Sequence, residues 1–215
     1  MIGVQEKNYK SYCFNSLNYS VIFIYLLFVI FPIIWIVLLS LKTEVQAFAN
    51  PPLFIFKPNL MNYYNLFVEE NFGKYLFNSI FIASLSSIVC LLIGAPTAFA
   101  LSRNQNRTNQ GILIWVLISR MAPAMTYVIP FFVVFSYFKM IDTYFGLILA
   151  YSVLNLPLVI WLMRSFFLEL PSETLEAAKI DGASTFQIFR KIAIPLASPG
   201  IVSTGIITFV VAWNE

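Results

Sequence analysis

The chain has 215 residues, 60% of them apolar and 11% charged, with a formal net charge of +3 and a mean hydropathy of +0.81. A soluble domain is nearer half apolar and a quarter charged, so this composition excludes one. With no histidine and only two cysteines, it also excludes histidine acid–base chemistry and the usual His/Cys metal sites, while the small net charge gives no reason to expect nucleic acid.

A bilayer core needs about 20 apolar residues of helix. The first run that meets this is 20–41, uncharged throughout. It is longer than the 7–15 residues of a signal-peptide core, and no small-residue cleavage site follows. Residues 42–74 carry Pro51, Pro52, Pro58, Asn59, Asn62 and several aromatics. They are expected to form an extracytoplasmic segment with short helical pieces.

Further spans are expected at about 75–101, 111–138, 143–164 and 198–215, the last starting near Ile192 or Ser198. Cys13 precedes the first span and Cys90 lies inside the second, so no disulfide between them is expected. Pro32, Pro96, Pro123, Pro130 and Pro157 fall within the spans. Each removes a backbone donor and tends to kink a helix. That is either ordinary membrane-helix irregularity or the shaping of a pathway. No internal repeat is visible.

Lys and Arg set the orientation. With a cytoplasmic N-terminus, the inner segments hold Lys7, Lys10, Arg103, Arg107, Arg164, Lys179, Arg190 and Lys191, which is eight of the 13 basic residues. The outer segments hold Lys42, Lys57, Lys74 and Lys139, and Arg120 lies within a span. This arrangement obeys the positive-inside rule and places the polar stretch 169–195 inside the cell.

That stretch reads as two short helices. Ser172 is the expected cap of the first, with Glu173 and Glu176 in its opening turns, where the helix dipole favours anions. Ala177 and Ala178 give a small, smooth surface, and Gly182 is expected to end the helix in the left-handed region. Ser184 and Gln187 have the spacing of a capping box for the second helix. Phe186, Ile188, Phe189 and Ile192 would form its apolar face, before Pro195 and Pro199 launch the next span. The stretch either fills a groove on a partner or lies on lipid as an interfacial helix. A lipid anchor has no need of the Asp181-Gly182 turn.

The motif Glu176-Ala177-Ala178, three residues, Gly182, nine residues, Ile192, one residue, Ile194, Pro195 resembles the coupling loop of permease subunits in binding-protein-dependent ABC importers. Ile194 stands where that family usually has Leu. Asn78-Ser79, residues 119–123, 142–149, Leu156-Pro157, 161–167 and Trp213-Asn214-Glu215 look like the second permease subunit of maltose-type importers, the carbohydrate branch. The resemblance runs from about Phe72 onward.

The resemblance implies an all-α polytopic bundle of the type I importer (MetI-like) fold. Residues 1–70 would hold the cytoplasmic N-terminus, first span and extracytoplasmic segment. Residues 71–215 would be the importer transmembrane domain, with its coupling loop at 169–195. Glu176, Ala177, Ala178, Asp181, Gly182, Ala183 and Phe186 would contact the ATPase. The implied partners are a homologous second permease, an ATP-binding subunit dimer, an extracytoplasmic solute-binding protein, a sugar substrate and the bilayer. Family members continue past the Trp-Asn motif into another span, so the last span is expected to be missing here.

No Gly-x-x-x-x-Gly-Lys-Ser/Thr loop occurs, so no nucleotide cradle is expected on this chain and hydrolysis falls to a partner. No catalytic, metal or cofactor residue is expected. The pathway candidates are Arg120, an expensive charge within a span, and Asn78, Tyr151 and Asn155, which either meet sugar hydroxyls or glue helices together. Arg120 either lines the pathway, pairs with a partner subunit, or binds carbonyls freed around Pro123. Two other functions stay open. One is a truncated, non-transporting membrane component. The other is a secondary transporter, against which stands the lack of any carboxylate in the first four spans.

Overall fold

The computed structural model describes residues 2–104, 106–123 and 125–215, with side chains described from residue 18 onward. Lys7, Lys10 and the Cys13 side chain therefore lie outside the described side chains. The chain divides into two compact units, residues 1–73 and 74–215.

In the first unit, α1 (Ile2–Ser40) is one long helix whose apolar part, Asn18–Ser40, is long enough to cross a membrane. None of that part is buried within the chain, as expected of a helix that is apolar all round. Its last carbonyls would be orphaned. The Asn62 amide donates to the carbonyls of Ser40 (2.9 Å) and Lys42 (2.8 Å), and the Asn59 N–H donates to Leu41 O (2.8 Å). Lys42 is 3% exposed, its Nζ 5.2 Å from the Trp35 ring centroid and 5.0 Å from that of Phe56. The electron-rich ring faces offset part of its desolvation. Two short helices follow, α2 (Glu44–Ala47) and α3 (Met61–Tyr64), the latter running into a π-helical turn over Asn65–Glu69. These are the expected short helical pieces.

The second unit contains α4 (Phe72–Arg103, which opens at the unit boundary), α5 (Arg107–Met121), α6 (Met125–Tyr137) and α7 (Tyr144–Leu168). It continues with α8 (Ser172–Ile180), α9 (Thr185–Ile188), a π-helical turn (Phe189–Ala193), α10 (Ile194–Leu196) and α11 (Ser198–Asn214). The stretch expected as the span 111–138 is two helices, α5 and α6, sharply bent at their junction and long and apolar enough together to form one broken span. Pro123 pushes the preceding residue out of the helical region, and Ala122 is extended at φ −67°, ψ 133°. Pro32, Pro96, Pro130 and Pro157, by contrast, stay inside α1, α4, α6 and α7. The chain bends again by 77° where 185–196 meets α11.

Two contacts fix the relative direction of α4 and α7. Near their starts, the Tyr144 hydroxyl bonds Asn78 Oδ1 at 2.8 Å. Near their ends, Phe99 and Phe167 meet edge to face at 5.4 Å. The two helices therefore run parallel, with the α5–α6 pair returning between them in the chain. From Asn78 to Phe99 is about 31 Å of helix at 1.5 Å per residue, close to a hydrocarbon core of about 30 Å.

Small side chains let these helices approach. A Cβ on Gly94 would lie 2.6 Å from Val159 Cγ1, and one on Gly200 would collide with the Phe166 ring. The buried seam between α4, α7 and α11 contains Ser86, Ser87, Cys90, Ser152, Asn155, Thr204 and Thr208. Several hydroxyls bond carbonyls of their own helix, such as Ser87 to Ala83 O (2.7 Å) and Thr208 to Thr204 O (2.8 Å). The Cys90 thiol reaches across to Ser152 O at 3.3 Å. This is how membrane helices pack without a hydrophobic driving force between them.

Candidate functional site

The loop between α7 and α11 is anchored to the bundle rather than lying free of it. Leu175 of α8 is 4% exposed and Ile188 of α9 is 2% exposed, and both join a core with Ala98, Phe99, Val159, Met163 and Phe167. Phe189 stands 5.3 Å from Phe99 and 6.2 Å from Phe167, so three rings tie α4, α7 and the loop together. Arg103 caps the cluster: its guanidinium lies 5.7 Å from the Phe99 ring centroid and donates to Phe167 O.

The turn between α8 and α9 follows from its residues. Gly182 adopts φ +81°. Its N–H bonds Lys179 O (3.0 Å), and the next N–H, from Ala183, bonds Ala178 O (2.9 Å). That is the Schellman pattern, which satisfies carbonyls at a helix end. A Cβ at Gly182 would meet nothing within 4 Å, so backbone conformation, not space, selects glycine here. The expected capping box is present: Gln187 N–H donates to Ser184 Oγ (3.3 Å), and Ser184 N–H to Gln187 Oε1 (2.8 Å).

Two expectations are corrected. Ser172 does not cap α8; Pro171 holds the cap position, Ser172 is the first helical residue, and no side chain caps the helix. Proline there fixes φ at −57° but carries no acceptor, so the first N–H groups of α8 have no side-chain cap. Phe186 does not share a face with Ile188, Phe189 and Ile192: it is 67% exposed, while the other three are buried or half-buried against the core. The helix carrying Phe186 is one turn long and runs into a π-helical turn, so no continuous apolar face develops.

The outward surface of the loop comprises Glu176, Ala177, Asp181, Gly182 and Phe186, with Ala178 and Ala183 half-buried at its base. To these the structure adds Ile180, which is 86% exposed. Sequence reasoning passed over it. Its signal was an isoleucine immediately before Asp181-Gly182, at the end of an otherwise polar helix. Ile180 and Phe186 are thus two large apolar side chains left uncovered by the rest of the chain on either side of a tight turn, on a base pinned by Leu175 and Ile188.

The four pathway candidates do not form one cluster. Arg120 is in the last turn of α5, at the break, and its Nη1 donates to Leu154 O at 3.3 Å. Leu154 is ten residues into α7, so Arg120 sits about 15 Å from that end of the helix. It lines a cavity of about 640 Å³ together with Trp115, Ser119, Tyr127 and Pro157. Asn78 lines a different cavity of about 680 Å³, near the starts of α4 and α7. Tyr151 is half-buried and Asn155 only 2% exposed; neither lines either cavity. Among the described residues, no group of three or more His, Cys, Asp or Glu side chains is placed to hold a metal.

Residues 90–215 match the family described as "Binding-protein-dependent transport system inner membrane component". The chain is 36% identical over 193 residues to a probable ABC transporter permease protein, y4oR, of Sinorhizobium fredii, covering 90% of this chain and 68% of the relative. It is 34% identical to the trehalose transport system permease protein SugB of Mycobacterium tuberculosis (87% of this chain, 68% of the relative). It is 35% identical to the trehalose/maltose transport system permease protein MalG of Thermococcus litoralis (86% and 67%). The chain thus spans about two thirds of the length of the curated relatives it matches. In fold it resembles a bacterial ABC transporter involved in the import of the acidic polysaccharide alginate, with a TM-score of 0.78 at 24% identity, covering 96% of this chain and 72% of the other. The family match, these relatives and the spans of α1, α4 and α7 identify the chain as a membrane-embedded permease of the binding-protein-dependent ABC importer family, with its resemblance in the carbohydrate branch.

Proposed function

We propose that the chain forms one half of the translocation pathway of an ATP-driven importer of a sugar, whether oligosaccharide, disaccharide or polyol. Movement would reach it from a separate ATPase through the loop 169–195. The names of the trehalose and maltose relatives support the substrate class. In this reading the N-terminus, the 103–107 connection and the loop face the cytoplasm of a cell bounded by this membrane, and residues 42–74 face outward. The supporting bias is that of Lys and Arg. The partners are a homologous permease, a pair of ATP-binding subunits and an extracytoplasmic solute-binding protein.

One observation carries the coupling role. The turn at Gly182 leaves Ile180 and Phe186 uncovered by the chain, while Leu175, Ile188 and Phe189 fix its base to the ends of α4 and α7. A flexible loop would absorb a push from a partner. This one is packed against two spans and would pass the push on. The small residues Ala177, Ala178, Gly182 and Ala183 allow close approach, and Glu176 and Asp181 supply charge at the rim. Arg120 and Asn78, each of which lines a cavity, are the polar residues proposed for the pathway; Tyr151 and Asn155 line neither cavity, and Asn155 is buried in the helix seam.

The test is co-purification of the chain from membranes with its ATP-binding subunit, beside the Gly182→Arg variant. Capture by the wild type and loss in the variant is the expected result. An ATPase captured equally well by both would remove the loop from the coupling role.

A further inference from the structure

Residues 45–56 contain no charged side chain, and Glu44 and Lys57 bracket them. Loops that run through water are mostly polar. This one presents Leu53, Phe54 and Ile55, all exposed, with Ile55 95% exposed.

The segment folds back along α1 instead of leaving it. The Asn59 N–H bonds Leu41 O at 2.8 Å and so closes the loop at the helix end. Within the loop, the Phe56 ring centroid lies 5.0 Å from Lys42 Nζ, and the Phe54 ring meets Trp35 edge on at 5.8 Å. Trp35 precedes Ser40, the last residue of α1, by about 7–8 Å of helix, and Phe54 reaches back that far. The span Asn18–Ser40 has 23 residues, about 35 Å of helix against a hydrocarbon core of about 30 Å. Trp35 and Phe54 therefore stand near the boundary where aromatic belts lie.

Backbone chemistry limits how deep the segment can go. Residues 51–58 form neither helix nor strand, and irregular backbone facing lipid is not tolerated within the hydrocarbon, where its polar groups go unpaired. Pro51, Pro52 and Pro58 have no N–H to satisfy, but the other amides need water or headgroups. A dip of about 5–10 Å into the headgroup–acyl boundary meets both demands, as it does for interfacial helices. Through Phe54 and Trp35 the exposed side of the segment is continuous with the apolar part of α1, none of which is buried within the chain. That continuity selects lipid as the occupant of both surfaces.

We infer that residues 51–58 form an interfacial wedge resting in the headgroup–acyl boundary beside the end of α1, with Phe54 and Ile55 as its lipid contacts. Lys42, held between the Trp35 and Phe56 rings, pins the wedge to the helix. The inference requires α1 to cross a bilayer and requires nothing of the coupling loop.

The experiment uses the full chain assembled with its partners in phosphatidylcholine–phosphatidylglycerol nanodiscs, carrying Cys13→Ser and Cys90→Ala. A nitroxide is attached at Ile55→Cys, or at Glu44→Cys as the aqueous reference, and its collisions with oxygen and with a polar nickel chelate are measured. The expected ratio of oxygen to nickel collisions at position 55 is several times that at position 44, with a depth of about 5–10 Å. Phe54→Ser and Phe56→Ser together should bring the ratio at 55 down to that at 44. A label at 55 as open to nickel as the one at 44 would overturn the inference. A label shielded from both reagents would overturn it too, since a protein surface would then cover the segment. A ratio unchanged by the double serine variant would refute the packing on α1 as the cause of the depth.

Discussion

Phe189 of the loop lies 5.3 Å from Phe99 near the end of α4, its ring tilted by 43°. This contact joins a surface turn to a membrane-length helix, and Phe167 closes the cluster from α7. Removing the Phe189 ring should leave Ile180 and Phe186 exposed on a loosened base. Phe189→Ala is expected to cost about 2 kcal/mol, below the range for a fully buried phenylalanine because the site is only half-buried. The variant should still capture the ATPase, yet transport per ATP hydrolysed should fall. Parallel measurements of hydrolysis and uptake in proteoliposomes check this, and unchanged coupling would mean the rings only fill space.

Ile180 and Leu175 lie five residues apart in α8 with opposite roles. Ile180→Ala removes a side chain that is 86% exposed, so stability should change by no more than about 0.5 kcal/mol while capture of the ATPase weakens. Leu175→Ala removes one that is 4% exposed and should cost about 2–5 kcal/mol. Thermal unfolding in detergent beside a pull-down distinguishes them. A large loss of stability from Ile180→Ala would show that the residue is buried in the working protein by its own chain.

Gly182 tests conformation apart from space. Gly182→Ala should destabilise the turn by about 1 kcal/mol, because an L side chain resists φ +81°. Gly182→Asn should cost less, since asparagine tolerates that region. Equal melting temperatures for all three chains would indicate that the turn relaxes to another geometry.

Gly94 and Gly200 are both close-approach positions, but they differ in what a methyl would strike. At Gly94 it meets Val159 Cγ1, the end of a side chain; at Gly200 it meets the body of the Phe166 ring. Overpacking of this kind costs about 1–3 kcal/mol, with Gly200→Ala expected at the upper end and Gly94→Ala below it. Melting of each variant followed by size-exclusion chromatography gives the order, and the reverse order would place the tighter helix contact at α4–α7 rather than α7–α11.

Much of this architecture is legible in the sequence because lipid imposes it. Apolar runs of span length, separated by charges, leave few alternatives to helices. Local chemistry is equally readable where a residue acts on its own backbone. Gly182 at positive φ and the Ser184–Gln187 box arise within a few residues and need no partner from elsewhere. The motif spacing around Glu176 likewise points to the family.

Tertiary structure decided the rest. Five prolines lie in spans of similar composition, yet among the described residues only Pro123 separates two helices; the others are held within α1, α4, α6 and α7. A proline weakens a helix locally, but packing determines whether the helix breaks. Phe186 and Phe189 are the same amino acid three positions apart, one exposed and one clasped by Phe99 and Phe167. Their fates diverge because a one-turn helix passes into a π-helical turn, a register shift that periodicity does not encode. The sequence by itself determined that this chain lives in a membrane, roughly where it crosses, and where it turns back in a polar loop. Only the folded bundle decided which side chains of that loop anchor it and which it offers outward, because burial depends on residues up to ninety positions away, as Phe99 is from Phe189.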